Sequence, residues 1–402
     1  MDAMTVEAPL LLSSPTTETA SRVAAGRLPL IAFVDAKTER VLQESSSMLG
    51  RCAIMRGGIG TAIKYLSEQR SPQLLLVDIS SVDLPLSKLQ ILADVCEPGT
   101  TVVALGDRND VGLYRDLLEI GVSNYLVKPV TRELLGRVLS PRAARRDAAK
   151  AALKLGKIVA FVGARGGVGT TTVAGNLAWH LANRQGRRVA LVDLDLQHGD
   201  AALLFNAELT PGFRDALANP LRLDHLLLDR TMTQVGERLF VLGSVEPLHD
   251  NVQFDPSAID TLFSALRSQF HYIIVDVPRT PAPAYRRALE NADRRVVVVD
   301  QTMHSMRDAV RLASLFDDDR NIFVVNRVGE FRHALGMQDV QKVLQVEPST
   351  LIPFLPKLVG SAAHFAVAAA SKGGKFADRI GKLALELSGR QQRRKWFWRR
   401  AK

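Results

Sequence analysis

The chain has 402 residues, 47% hydrophobic and 23% charged, with a formal net charge of +10, a composition that excludes a disordered chain and a length that suits two or three domains with ordinary cores. No apolar run reaches the ~18 residues of a membrane-spanning helix. Cys52 and Cys96 are the only cysteines; with no CxxC pair and no clustered histidine they read as buried thiols in a reducing cytoplasm, not as a disulfide framework or metal site.

The opening residues, MDAMTVEAPLLLSSPTTETA, place acidic residues where a signal peptide would be basic, and their apolar stretch is only PLLL. Residues 1–27 are therefore expected to be a disordered leader. No fixed-period repeat follows.

From 28 to 139, short apolar runs alternate with amphipathic stretches. Leu28 to Val34, Leu74 to Val77, Thr101 to Leu105 and Asn124 to Val127 read as strands, and Cys52 to Met55 as a weaker one. Thr38 to Leu49, Gly60 to Gln69, Leu86 to Val95, Val111 to Ile120 and Thr131 to Val138 read as helices between them. This alternation predicts a parallel sheet covered on both faces. Asp35 and Asp78 each follow a strand directly, and Lys128-Pro129 ends the last strand. All three fall at the carboxyl edge, where open α/β sheets bind ligands.

That arrangement resembles the receiver domain of response regulators, with Asp78 in the phospho-acceptor position. Two departures weaken the phosphorylation chemistry. Asp35 is followed by Ala36 where receivers carry a second acidic residue for Mg²⁺, and Gly106-Asp107 stands where a Ser or Thr is expected. The expectation is a receiver fold kept for interaction or dimerisation. Phosphorylation at Asp78 is the alternative.

Residues 140–156, rich in Ala, Lys and Arg, are expected to form a solvated helical linker. Its basic residues have no interleaved aromatics, so no nucleic-acid partner is expected.

From 157 to 389 the pattern repeats at larger scale. Ile158 to Val162 reads as a strand that breaks into Gly163-Ala-Arg-Gly-Gly-Val-Gly169 and then into a helix bearing Val173, Leu177 and Leu181. Strand, glycine loop and helix are the context of a phosphate-binding loop, whose backbone N–H groups and helix N-terminus attract anions. Gly166, Gly167, Val168, Gly169, Thr170, Thr171 and Thr172 are the candidate phosphate-contacting positions, and the Thr171 hydroxyl falls where Mg²⁺ would be met. The G-x-x-x-x-G-K-[ST] pattern is broken at Ala164 and at Thr170, which takes the lysine position. Arg165 is the loop's cation.

Six further strands are expected: Arg187 to Leu194, Leu239 to Leu242, Tyr272 to Val275, Arg295 to Val299, Ile322 to Val325 and Thr350 to Pro353. They predict a second doubly wound domain. Asp193, Asp195 and Asp200 follow the first of these strands, and Asp276 ends another in the apolar-then-Asp manner of Mg²⁺-holding strands in phosphate-loop NTPases.

The loop Arg165-Gly-Gly-Val-Gly-Thr170-Thr171 is similar to the deviant Walker A loop of the MinD/ParA family. LVDLDLQHGD resembles that family's V-D-x-D segment, and Asp276-Val-Pro278 its D-x-P. The resemblance implies ATP and Mg²⁺ as cofactors, with Thr171, Asp193 and Asp276 toward the metal. It implies Asp195, Asp276 and Arg165 at the reaction centre, and Asn326, Arg327 and Pro353 toward adenine. It also implies a homodimer in which position 165 crosses between copies. Arg165 keeps the charge there, but its planar guanidinium is a poor substitute for a compact ammonium.

A degenerate receiver joined to such an ATPase, with the Walker lysine replaced by a small hydroxylated residue, resembles the CpaE/TadZ proteins of Flp (Tad) pilus assembly. The implied role is an ATP-binding localisation and assembly factor with weak or absent hydrolysis. Its implied partners are components of the pilus machinery, and its place is the cytoplasm, peripheral at the inner membrane or a cell pole. An active ATPase cycling on a membrane, or an output protein switched at Asp78, are the alternatives.

The last stretch, 390–402, is RQQRRKWFWRRAK, with seven basic residues, no acidic one, and Trp396, Phe397 and Trp398. Basic plus aromatic residues suit an anionic membrane surface. A protein partner and a solvated end remain open.

Overall fold

The computed structural model describes residues 10–11, 28–45, 52–80, 82–138, 155–223, 225–250, 252–316 and 318–388. Most of the expected leader and linker and all of the 390–402 tail lie outside them. The chain divides into two compact units, Met1–Gly156 and Lys157–Lys402.

In the first unit the elements run β1 Leu10–Leu11, β2 Leu30–Val34, α1 Ala36–Glu44, β3 Cys52–Arg56, α2 Ile59–Glu68, β4 Leu74–Asp78, α3 Pro85–Val95, β5 Thr101–Gly106, α4 Val111–Glu119, β6 Asn124–Val127 and α5 Arg132–Val138. The sheet order is β1-β3-β2-β4-β5-β6. All neighbours are parallel except β1, which runs antiparallel to β3. This is the doubly wound order in which the chain reverses direction between β2 and β4. Alternate residues of each strand feed opposite cores, Ile31 and Phe33 on one face and Leu30, Ala32 and Val34 on the other. Helix α1 runs to Glu44 with Ser45 as its C-cap, and the expected continuation to Leu49 lies outside the described residues. Within the stretch expected as a leader, the PLLL run supplies β1, which caps the free edge of β3 (Leu10 opposite Ile54).

The second unit runs β7 Lys157–Gly163, α6 Thr170–Asn183, β8 Val189–Asp193, α7 Phe213–Ala218, α8 His225–Thr231, β9 Thr233–Gln234, β10 Leu239–Leu242, α9 Pro256–Arg267, β11 Tyr272–Asp276, α10 Pro283–Glu290, β12 Arg294–Val299, α11 Met303–Ala313, β13 Asn321–Val328, α12 Met337–Leu344, β14 Thr350–Pro353, α13 Pro356–His364 and α14 Gly374–Ser388. The sheet order is β14-β13-β12-β7-β11-β8-β10-β9, parallel throughout except for the edge strand β9. Residues 158, 160 and 162 of β7 face one core, and 159 and 161 the other. A strand buried on both faces must be apolar at every position, which explains the unbroken Ile158–Val162 run. The two-residue β9 was not anticipated, because Thr233-Gln234 has no apolar alternation to signal it.

The two cores therefore agree with two doubly wound α/β domains. In each, the loops after the strands gather at one edge of the sheet.

Candidate nucleotide site

The loop after β7 is fastened at both ends. The Ala164 N–H donates to the Val298 carbonyl at 2.9 Å, and Val168 is buried in the core. Between them Arg165, Gly166 and Gly167 are exposed. Gly167 and Gly169 have φ of 79° and 88°, the left-handed region that a side chain opposes. Gly169 precedes α6 without a side-chain cap, so the first-turn N–H groups of α6 are available to an anion. Thr170 does not supply the missing cation. Its Oγ1 lies against the end of β7, where a Cβ on Gly163 would come within 2.6 Å of it.

The carboxylates assemble by register. Strands β8 and β11 are adjacent and parallel, with Asp193 opposite Asp276, and both side chains are buried. Burial, then the neighbouring Asp276 charge, raises Asp193 to about 7. Burial likewise raises Asp276 to about 6; a hydrogen bond from Thr171 pulls it down, while Asp195 and Asp200 push it up. Among the described residues, no lysine or arginine is among the groups that act most strongly on either carboxylate. The two acids therefore share a buried edge with other carboxylates as neighbours.

Asp193 also organises the loop that follows. Its two oxygens accept from the Asp195 N–H at 3.0 Å and the Ala201 N–H at 3.1 Å. Gly199 is required by this closure, since a Cβ there would lie 2.4 Å from the Asp193 carboxylate. Asp195 accepts from the His198 N–H at 2.9 Å. Gln197 donates to the Pro247 and Asp250 carbonyls at 2.9 and 3.1 Å, tying this loop to the one after β10. Neither Gly199 nor Gln197 carried a sequence signal for these contacts.

Of the three residues expected near adenine, Asn326 is the one that reaches the phosphate loop. The pairing of β13 with β14 shifts register between Val325 and Val328, and Arg327 has φ 55°. A bulge of this kind re-aims side chains. Here the Asn326 amide donates to the Val168 carbonyl at 2.8 Å. Arg327 turns to Glu330 at 3.2 Å, and Pro353 lies opposite Val328 at the sheet edge.

Among the described residues no group of three or more His, Cys, Asp or Glu side chains is arranged to hold a metal ion. The donor set still fits Mg²⁺, which binds proteins through one or two carboxylates and completes its shell with water and phosphate oxygens. The in-register pair Asp193 and Asp276, with the Thr171 hydroxyl beside it, is of that kind.

In the first unit the equivalent edge is closed. Lys128 Nζ lies 2.5 Å from Asp35 Oδ2 and also contacts Asp78 Oδ2. The other Asp78 oxygen accepts from the Ser80 hydroxyl at 2.6 Å and from the Ser80 N–H at 2.9 Å. Asp35 caps α1 through the Thr38 N–H at 2.7 Å. Partial burial works against its ionised form, but the Lys128 and Thr38 hydrogen bonds prevail and hold it at about 2. At Gly106, where a hydroxyl was expected, a Cβ would lie 2.4 Å from the Tyr125 hydroxyl, which donates to the Arg108 carbonyl. The tyrosine ring thus takes the space a Ser or Thr side chain would need.

Residues 156–320 match the protein family described as AAA domain. The septum site-determining protein MinD of Helicobacter pylori is 27% identical over 229 residues, spanning 54% of this chain and 82% of its own. Two solved structures share the fold. A ParA family ATPase from Chlorobium tepidum has a TM-score of 0.53 at 22% identity, covering 58% of this chain and 99% of its own. MinD of Pyrococcus horikoshii complexed with Mg-ADP has a TM-score of 0.50 at 23% identity, covering 58% and 96%. Residues of the second unit thus match an AAA domain, and the unit has the fold of these ParA and MinD structures. No helix among the described residues is long and apolar enough to cross a membrane.

Proposed function

We propose that this chain is an ATP-binding localisation and assembly factor of the CpaE/TadZ type, serving Flp (Tad) pilus biogenesis. Its second unit dimerises with nucleotide and turns it over slowly. The observation that carries the slow-turnover reading is Thr170 at the lysine position with its hydroxyl against β7, which leaves no side-chain ammonium in the phosphate cradle. The pilus assignment rests on the pairing of this domain with a receiver-like unit whose acidic pocket is filled by its own lysine.

In this reading, backbone N–H groups from Gly166 to Thr172 hold the phosphates, and Arg327 and Pro353 border the base. Thr171, Asp193 and Asp276 take Mg²⁺, which neutralises phosphate charge when bound. Asp195 orients water, and Arg165 reaches toward the second copy. Phosphoryl transfer depends on preorganised positive charge, so the missing lysine lowers the rate more than the affinity. The tail 390–402 supports peripheral attachment at an anionic membrane surface, at the inner membrane or a pole. Salt-sensitive co-sedimentation with anionic vesicles that survives truncation after Gly389 would reassign it.

The direct test is ATP titration of purified protein with a monomer–dimer readout alongside a turnover assay. Binding and dimerisation with turnover well below ~1 s⁻¹ is expected, and Thr170→Lys should tighten ATP binding. Wild-type turnover at or above that rate would favour an active, cycling ATPase.

A further inference from the structure

Asn326 enters the site as an expected neighbour of adenine, yet its side chain is already engaged elsewhere. It is buried, and its amide nitrogen donates to the Val168 carbonyl at 2.8 Å, across 158 positions of sequence. Gly169, the next residue, packs so closely beneath it that a Cβ there would stand 2.5 Å from the same nitrogen. Gly169 holds φ 88° and is the residue from which α6 starts. One side chain therefore sets both the carbonyl before the left-handed glycine and the space the glycine occupies.

The backbone around Asn326 serves this placement. The register shift between Val325 and Val328 interrupts the β13–β14 ladder at Asn326 and Arg327, and a bulge re-aims the side chains it contains. The Asn326 hydrogen bond fixes the carbonyl of the peptide between Val168 and Gly169, and with it the direction of that peptide's N–H. If that peptide rotated, the Gly169 N–H would turn away from an anion faced by the Thr170 and Thr171 N–H groups. In a loop without the usual lysine, those N–H groups carry most of the phosphate recognition.

We infer that Asn326 is a positioning residue for the phosphate-binding loop, clasping Val168 so that the amides of Gly169 to Thr171 face the phosphates whatever base the nucleotide carries. The inference rests on the nucleotide reading above and gives Asn326 a role different from base contact.

The test uses the full chain and three probes: ATP, GTP and inorganic tripolyphosphate. Asn326→Ala and the near-isosteric Asn326→Asp both remove the donor. A lost buried hydrogen bond that controls the loop should weaken all three probes by about the same factor, roughly tenfold, leaving the ATP-to-tripolyphosphate ratio unchanged. A variant that loses ATP affinity and ATP-over-GTP preference while binding tripolyphosphate like wild type would make Asn326 a base contact and overturn the inference. Amide hydrogen exchange on nucleotide-free protein separates this from failure of the nucleotide reading. The clasp predicts roughly tenfold faster exchange over residues 166–171 in either variant, even if wild type bound none of the probes. Unchanged exchange there would overturn it.

Discussion

The two units present the same kind of edge and treat its charge in opposite ways. In the first, Asp35 and Asp78 end adjacent strands of a doubly wound sheet, and Lys128 reaches from the last loop to both. In the second, Asp193 and Asp276 end adjacent strands in register, and among the described residues no basic side chain is among the groups acting most strongly on them. In the first, the Lys128 and Thr38 hydrogen bonds hold Asp35 at about 2 against partial burial; in the second, burial and neighbouring carboxylates raise Asp193 and Asp276 to about 7 and 6. A buried pair of carboxylates without a counter-ion is costly to the fold and is retained where an external cation completes it. The same architecture thus yields one acidic edge satisfied from within and one left acidic, which the proposed function takes as an interaction module and a cation-dependent nucleotide site.

The largest effect should come from breaking the internal pairing. Lys128→Ala leaves Asp78 buried opposite Asp35 with one partner lost, and should destabilise the first unit by about 2–4 kcal/mol. Urea denaturation, with a probe in that unit, would show it. A change below about 0.5 kcal/mol would mean that the lysine is an incidental surface contact.

A smaller, opposite effect should follow in the second unit. Asp276→Asn removes one of two buried like charges and should raise the midpoint of thermal unfolding of the Mg²⁺-free protein at pH 8 by a few degrees, equivalent to about 1–2 kcal/mol. The sign follows from linkage. A carboxyl whose folded value lies above its unfolded value contributes stability that is full below about pH 4 and lost as pH rises through 6 to 7. The gain from Asp276→Asn should therefore shrink as pH falls through 6 and vanish only near pH 4. A lower midpoint for the variant at pH 8 would make Asp276 a structural hydrogen-bond acceptor.

Much of this was legible in the sequence. The apolar runs from Ile158 and from Tyr272 are strands because burial on both faces demands unbroken hydrophobicity. The loop Arg165 to Thr171 was visible because glycines at fixed offsets have a backbone reason. Asp35, Asp78 and Lys128 could be assigned to one edge from their places after strands. Contacts between segments distant in the chain were not legible. That Lys128 bridges both acids, that Gly199 closes on Asp193, and that Asn326 faces Val168 instead of open space depend on strand order and on a local bulge. Neither leaves a periodic trace. Edge strands β1 and β9 escaped because two residues are too few to show alternation.

The contrast between the two edges is tested most directly by counting where a divalent cation binds. Mn²⁺, as a paramagnetic stand-in for Mg²⁺, can be titrated into the full chain with ATP present and followed by electron paramagnetic resonance. The account predicts one tight site per chain, lost or weakened at least tenfold in Asp276→Asn and unchanged in Asp78→Asn. Loss of the site in Asp78→Asn, or its persistence in Asp276→Asn, would contradict it.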